Sequence, residues 1–353
     1  MLPFYHKFRV AAEEDAMTYA MKCEEKKANM QESKLATETT ILTQLHGRKH
    51  FTELIDVGDQ GAFRFFIMEL LGKNLSDLKK IVPSSVFSLA TGLSVSLQCL
   101  DACRELHQIG YIHRDVKPSN FAIGRNHKRR IIHLLDFGIS RKYGCKQTES
   151  VKFGRFKGTI CYASLACHQT QLLGPRDDCE SWLYMLADVI SPMGLPWKNA
   201  VTNESVLRMK QDIRNGNQSM FLCGVKSKRV LIRVITYLDK LSCDDMADYT
   251  LLSNIIREAA RTAKCDLSAP FDWESEPSTP ARTPVGISPA TKKSSRKHSA
   301  RAVKKSAEST KKSAECVKKS AEIIKKSDST SPMASAESIQ EALPKKLSME
   351  HAH

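Results

Sequence analysis

The sequence contains no run of 18 apolar residues and no C-x-x-C pair. The first absence excludes a membrane-spanning helix, and residues 1–10 lack the apolar core of a secretory signal peptide. The eleven cysteines are odd in number and show no zinc-site spacing, even where Cys99 and Cys103 stand one helical turn apart. We therefore expect reduced thiols in a cytoplasmic or nuclear protein with no membrane segment.

Positive charge is spread unevenly along the 353 residues, which carry a formal net charge of +15. From Glu276 to the end there are 16 Lys and Arg against 8 Asp and Glu, so this stretch holds about half of the excess. Such a balance favours acidic partners.

The same C-terminal stretch has low complexity, and residues 304–327 repeat a seven-residue unit that begins Lys-Lys-Ser-Ala-Glu. One interpretation is a short helix with a heptad seam, and the other, which we favour, is a solvated, disordered tail. Its Lys pairs would bind an acidic surface such as a microtubule or nucleic acid, but no aromatic residue lies among them for base stacking. Four sites precede Pro and are candidates for phosphorylation: Thr279, Thr283, Ser288 and Ser331.

The stretch Tyr111–Tyr143 carries the strongest chemical pattern. It contains the sequence His-Arg-Asp ending at Asp115, then Asn120, and later Asp136 in the sequence Asp-Phe-Gly. This spacing is that of the catalytic and magnesium-binding loops of protein kinases. Phosphoryl transfer requires a carboxylate to orient the attacking hydroxyl, oxygen ligands for Mg²⁺, and lysines that offset charge. The pattern therefore predicts phosphoryl transfer rather than isolated turn residues.

The first 75 residues are predicted to form strands around one helix. The helix is expected at Ser33–Leu45, where apolar residues recur at helical spacing. Four strands are predicted, two of them in a hairpin and two joined by a turn at Gly58–Gly61: Phe8–Val10, Thr18–Cys23, Phe51–Val57 and Arg64–Leu70.

Helical patterns dominate from Asn74 onward, and the ordered body is expected to end near Glu274. One helix begins at Leu75, and the others cover Leu89–Ile109, Asp178–Ile190, Glu204–Asn215, Lys226–Leu241 and Tyr249–Ala263.

These features together resemble the casein kinase 1 superfamily, and within it the tau-tubulin kinase-like branch, over Phe8–Glu274. Beyond the catalytic motif, the resemblance is carried by Met68–Gly72, Asn74–Leu78, Lys117–Phe121, Gly158–Ser164, Arg176–Asp178 and Phe271–Glu274. It implies an α+β, bilobal protein-kinase fold. A β-rich N-lobe would occupy residues 1–71, a larger helical C-lobe residues 72–275, and the basic tail residues 276–353.

The resemblance also implies a role for each site residue. Asp115 would orient the substrate hydroxyl, Lys117 would steady the transferring phosphate, and Asn120 and Asp136 would hold Mg²⁺. The other positions expected to bind ATP or support it are Lys22 on the phosphates, Glu38 as its ion-pair partner, Met68 as gatekeeper, and Glu69 and Leu71 in the hinge that meets adenine. Phe137 would pack beneath the helix, and Asp178 would anchor the catalytic-loop backbone.

Two features depart from the family pattern. No glycine precedes Phe8–Val10, where the family carries G-x-G-x-x-G and a backbone that can approach phosphate closely. We expect either that this chain is a truncated or mispredicted version of a longer one, which we favour, or that the protein binds nucleotide poorly. Cys161 and Ala166 stand where the family usually has arginine and asparagine. The resemblance implies that this arginine helps to bind an anion, so a preference for acidic or pre-phosphorylated substrates stays open.

The sequence therefore predicts a monomeric protein serine/threonine kinase that uses ATP and Mg²⁺ and acts on Ser and Thr hydroxyls of proteins. The alternative is a catalytically weak or inactive pseudokinase scaffold, because the glycine-rich loop is missing.

Overall fold

The computed structural model describes residues 5–12, 18–26, 33–144, 156–218, 220–274 and 347–350. The predicted heptad repeats and the four sites that precede Pro lie outside these residues. None of the helices within the described ranges is long and apolar enough to cross a membrane.

An antiparallel sheet forms the N-terminal part. Its strands are β1 (Tyr5–Ala12), β2 (Thr18–Glu25), β3 (Leu54–Gln60) and β4 (Phe63–Glu69), in the order β3-β4-β2-β1. A fifth strand that was not predicted, β9 (Leu347–Glu350), pairs with the other edge of β1. The predicted hairpin is confirmed, since β1 and β2 pair antiparallel from Tyr5 opposite Glu24.

Helix α1 (Lys34–Gln44) packs against β3 and β4 through an apolar face that includes Leu35 and Ile41. Ser33, the residue just before the helix, caps it, and its hydroxyl accepts a hydrogen bond from the backbone N–H of Ala36 at 3.0 Å. Such a cap satisfies an N–H group that the helix itself leaves unpaired. The predicted helix is thus confirmed.

The prediction that β3 starts at Phe51 is wrong by three residues. Phe51 is buried in the loop that precedes β3, where its ring lies 6.0 Å from that of Phe137. An apolar residue next to an alternating pattern makes the predicted strand too long. Phe51 is buried because it packs against the distant loop of Phe137, and it does not belong to the strand.

The C-terminal part is mainly helical. Its helices are α2 (Leu75–Ile81), α3 (Leu89–Gln108), α4 (Leu165–His168), α5 (Pro175–Ile190), α6 (Asn203–Arg214), α7 (Lys228–Leu238) and α8 (Tyr249–Ala263). Four short strands form two hydrogen-bonded pairs, β5 (Tyr111–Ile112) with β8 (Arg141–Lys142), and β6 (Phe121–Ile123) with β7 (Ile132–Leu134). The predicted long helices are confirmed within a few residues, whereas α4 was not predicted.

Side-chain caps set the starts of five of these helices. In each, an oxygen of the residue before the helix accepts a hydrogen bond from the backbone N–H three residues later, and each such cap contributes about 1 kcal/mol. The capping residues are Asn74, Ser88, Ser164, Thr202 and Asp248.

Helix α5 is the centre of this part because nearly all its side chains are buried. Trp182 is fully buried, and its indole N–H donates to the carbonyl of Ser96 on α3 at 2.9 Å. Burial on nearly every side, acidic residues included, places this helix inside the core. The first turn of α5 therefore carries the carboxylate of Asp178 into the interior, towards the loop after β5.

The segment that ends the described body at Glu274 is fastened to the start of α3. Asp272 accepts hydrogen bonds from the Ser88 backbone at 2.6 Å and the Thr91 hydroxyl at 2.9 Å. The Trp273 ring lies 5.2 Å from that of Phe87. These contacts hold the end of the chain's helical part to the core.

We expect Asp272→Ala to lower the free energy of unfolding by about 1–2 kcal/mol, because it removes both hydrogen bonds at the start of α3. Asp266→Ala is the matched control, since that carboxylate bonds Ser268 only two residues away, and its effect should stay within about 0.5 kcal/mol. Urea denaturation measures both variants. Equal losses in the two would contradict the assignment.

Candidate active site

A buried lysine lies between two carboxylates where the sheet, α1 and the loop after β7 meet. Lys22 of β2 donates to Glu38 Oε2 of α1 at 2.5 Å and to Asp136 Oδ1 at 3.0 Å. Lys22 and Glu38 are each about 3% exposed. Three residues predicted for one site from distant parts of the sequence are thus brought together.

The electrostatics of this cluster favour a charged lysine. Burial alone would lower the pKa of Lys22, but the carboxylates of Glu38 and Asp136 outweigh it and raise the pKa above the ordinary value. The amine therefore stays an ammonium group throughout the neutral range, as a group that offsets phosphate charge must.

A second cluster surrounds Asp115 in the loop after β5. Lys117 Nζ lies 2.6 Å from Asp115 Oδ2, and the Thr159 hydroxyl donates to Asp115 Oδ1 at 2.7 Å. The same hydroxyl accepts from Lys117 Nζ at 2.9 Å. The side-chain nitrogen of Asn120 donates to the Asp115 carbonyl at 2.8 Å, so both oxygens of the carboxylate and its own backbone are positioned.

Backbone hydrogen bonds connect the two clusters. The N–H of Leu135, next to Asp136, donates to the carbonyl of Asn120 at 2.8 Å. His113 Nε2 donates to the Leu135 carbonyl at 3.0 Å, and the imidazole lies 5.5 Å from the Phe137 ring. Phe137 is 1% exposed. The aromatic contacts hold the loop of Asp136 against the loop of Asp115.

Two residues of these loops adopt a backbone conformation that side chains other than glycine rarely take. Arg114 has φ of 70° and Asp136 has φ of 68°. Conformations of this kind cost about 1–3 kcal/mol and occur mainly where the surrounding structure holds a functional loop in place.

Asp178 supplies that support for the first loop. Its carboxylate accepts from the backbone N–H of His113 at 2.6 Å and of Arg114 at 2.8 Å, and it bonds His107 Nε2 at 2.8 Å. Burial alone would raise the pKa of Asp178, but these donors hold it below the ordinary value. The carboxylate is therefore ionised at neutral pH and fixes the backbone that carries Asp115.

The predicted hinge residues lie at the end of β4, where the chain leads towards α2. Met68 is opposite Ala20 of β2 in the sheet. The Glu69 carboxylate lies 3.0 Å from Lys128 Nζ. The backbone carbonyl of Glu69 accepts a hydrogen bond from the Thr52 hydroxyl at 3.1 Å. A carbonyl has two lone pairs, so it can still accept a bond from an adenine. Leu71 is half-buried beside them.

Thr159 is a site residue that the sequence did not single out. It stands 44 positions after Asp115 and forms part of a motif that only the resemblance marked. The preceding Gly158 has φ of 119°, and a Cβ there would lie 2.9 Å from the Arg114 carbonyl. Glycine is therefore required for the segment to pass close enough to the loop.

The oxygen ligands suit a hard cation. Asn120 directs its amide nitrogen towards Asp115, which leaves its amide oxygen for a ligand, and Asp136 adds a carboxylate. Magnesium uses one or two such protein oxygens together with phosphate and water. In the described part of the chain, no group of three or more His, Cys, Asp or Glu side chains forms a further metal cluster.

Residues 6–215 match the family model described as a protein kinase domain. The chain belongs to the protein kinase family. A similar protein is "Putative serine/threonine-protein kinase ZK507.1" of Caenorhabditis elegans, 33% identical over 277 residues that span 76% of this chain and 81% of the relative. "Putative serine/threonine-protein kinase ZK507.3" of the same organism is 32% identical, over 74% of this chain and 66% of its own length.

A third relative is "Putative casein kinase I C03C10.2" of Caenorhabditis elegans, 33% identical over 51% of this kinase and 54% of the relative. The predicted fold class is confirmed, with a small sheet-containing N-lobe and a larger helical C-lobe. The predicted activity is confirmed at the level of a protein serine/threonine kinase.

We expect Thr159→Val to reduce kcat/KM for a protein substrate by about tenfold or more, because the hydroxyl that joins Asp115 to Lys117 is lost without a change in side-chain volume. Thr159→Ser keeps the hydroxyl and should retain most of the activity. Radiolabelled phosphate transfer from ATP measures both variants. Equal activity in Thr159→Val and the unaltered kinase would contradict the role of this contact.

Proposed function

We propose that this kinase is a member of the casein kinase 1 superfamily, nearest to its tau-tubulin kinase-like branch, and transfers the γ-phosphoryl group of Mg-ATP to Ser and Thr hydroxyls. The observation that carries the proposal is the position of Lys22 between Glu38 and Asp136. The sequence segments typical of the branch support it, as does the relative named as a casein kinase I.

The two clusters suggest a division of labour. Asp115 accepts the proton of the substrate hydroxyl and aims its oxygen, while Lys117 lies close enough to steady the phosphate that is transferred. Asn120 and Asp136 would hold Mg²⁺, which would screen the phosphate charges. Lys22 holds the remaining phosphates, and the carbonyl of Glu69 and the N–H of Leu71 receive the adenine.

A catalytically inactive scaffold is not favoured. A protein that did not bind nucleotide would gain nothing from keeping Lys22 charged and buried, because apolar residues in its place are often equally stable or more so. The residues proposed to perform transfer, Asp115, Asn120 and Asp136, are all present.

The preference for acidic or pre-phosphorylated substrates stays a prediction. Cys161 is half-buried, and its thiol carries no positive charge that could bind an anion. Lys157 is exposed nearby in sequence, and Arg155 lies outside the described residues. Tail binding to acidic surfaces, a monomeric state, and a cytoplasmic or nuclear location likewise remain proposals.

The proposal predicts different losses from two conservative variants. Asp136→Asn should abolish both phosphate transfer and the stabilisation by Mg-ATP, because it removes a magnesium ligand. Asp115→Asn should abolish transfer but leave the rise in melting temperature caused by Mg-ATP within about 1 °C of that of the unaltered chain. The reason is that Asp115 acts on the protein substrate and not on Mg-ATP.

Differential scanning fluorimetry and radiolabel transfer to dephosphorylated casein measure the two properties. Asp212→Asn, on α6, is the charge-matched control and should behave as the unaltered chain. Transfer that survives in Asp115→Asn, or an absence of any Mg-ATP effect on the unaltered chain, would contradict the proposal.

A further inference from the structure

Helix α6 carries a lysine that is fully buried in the C-lobe. Lys210 is 0% exposed, and its Nζ donates to the carbonyls of Ile160 at 3.1 Å and Ala163 at 2.7 Å. Its third partner is His168 Nε2 at 3.0 Å. Both carbonyls belong to the irregular segment between Gly158 and α4, which has no helix or strand to satisfy them.

The imidazole of His168 is fixed in the form that accepts from Lys210. Its Nδ1 lies 2.6 Å from the amide oxygen of Asn203; that oxygen can only accept, so Nδ1 carries the proton and Nε2 does not. Burial and the neighbouring Lys210 lower the pKa of His168 to about 4, so it remains neutral. In the charged form of Lys210, the two carbonyls and His168 Nε2 therefore accept all three hydrogens of the ammonium group.

Two aromatic rings complete the surroundings of the amine. Lys210 Nζ lies 4.7 Å from the centre of the Tyr184 ring and 5.0 Å from that of Trp197. Trp197 also donates to the carbonyl of Cys161 at 2.7 Å. Three successive contacts thus hold the main chain of residues 160–163 against α6 and the loop after α5.

This segment also reaches the catalytic carboxylate. Thr159, one residue before Ile160, donates to Asp115, and Tyr162 donates to Asp188 of α5 at 3.1 Å. The side chain of Ile160 is 37% exposed. The main chain that Lys210 holds is therefore continuous with the residue that positions Asp115 and presents an apolar side chain at the surface.

A buried charge of this kind needs a reason. Burial lowers the pKa of Lys210 to about 7 even though Glu180 opposes the shift, which shows that the site disfavours the charge. Apolar residues would fill such a position at less cost. They would leave two carbonyls of an irregular segment without donors, however, and such carbonyls need partners.

We propose that Lys210 is a positioning residue that holds residues 160–163 in the conformation that receives the protein substrate. The inference rests on the kinase activity and goes beyond it, because it assigns a determinant of substrate binding that lies on α6 and touches neither ATP nor the transferred phosphate.

Lys210→Met tests the inference, because it keeps the length of the side chain and removes all three donors. We expect kcat/KM for dephosphorylated casein to fall by roughly tenfold or more, mainly through a higher KM for casein, with the KM for ATP changed by less than about twofold. Lys210→Gln keeps two N–H donors and should recover part of the loss. Arg208→Met, which removes an exposed charge from the same helix, should have no effect.

Hydrogen–deuterium exchange provides a second readout that needs no substrate. The peptide that contains residues 158–164 should exchange faster in Lys210→Met than in Arg208→Met, while the peptide of residues 18–26 exchanges at the same rate in both. Unchanged exchange at 158–164, or equal increases of the KM for casein and the KM for ATP, would overturn the proposal. If the unaltered chain does not bind Mg-ATP, that result contradicts the proposed nucleotide function and not the role of Lys210.

Discussion

The ion pair of Lys22 with Glu38 is the interaction on which the arrangement of the site depends. It joins β2 to α1, and the additional contact with Asp136 joins both to the loop after β7. A buried charge that loses one partner costs about 3–5 kcal/mol, so these three elements are constrained to stay together. The Asp136 carboxylate, which we propose to bind Mg²⁺, is consequently held close to the Lys22 amine, which we propose to bind phosphate.

Burial on the C-lobe side serves the same purpose by different means. Asp178 of α5 accepts hydrogen bonds from two backbone N–H groups of the loop that carries Asp115. Lys210 of α6 donates to two backbone carbonyls of the segment before α4. In both cases a charged side chain on a rigid helix satisfies the polar groups of an irregular segment. Between the two anchored segments lies Asp115, which receives the hydroxyl of Thr159 from one of them. The position of Asp115, the proposed catalytic carboxylate, is thus set by contacts that originate on helices α5 and α6.

Much of this could be predicted from the sequence, because phosphoryl transfer needs a few residue types at nearly fixed spacing. Asp115, Asn120 and Asp136 lie within one stretch of the chain, and the alternation and helical spacing around them indicate their supporting elements. The pairing of Lys22 with Glu38 was implied by the resemblance, and the order of strand and helix agrees with it. The resemblance implied that Asp178 anchors this backbone, and its carboxylate does accept hydrogen bonds from the N–H groups of His113 and Arg114.

Thr159 and Lys210 could not be found in that way. Their partners are backbone carbonyls or a carboxylate more than forty residues away, and no local spacing marks such contacts. Lys210 in particular sits on an amphipathic helix, where a lysine ordinarily belongs to the solvent-facing side. The start of β3 was misplaced for a related reason, because Phe51 packs against Phe137 and is not part of the sheet. Contacts between distant irregular segments depend on the assembled fold and leave no periodic pattern.

The central claim is that the cluster around Lys22 holds a nucleotide, although no glycine precedes β1. Titration calorimetry of Mg-ATP into the full chain and into Lys22→Met tests it most directly, with circular dichroism to show that both proteins are folded. The account predicts saturable binding to the unaltered chain and an affinity at least about tenfold lower, or roughly 1.4 kcal/mol, in the variant. Equal affinities in the two folded proteins, or no binding to either, would contradict it.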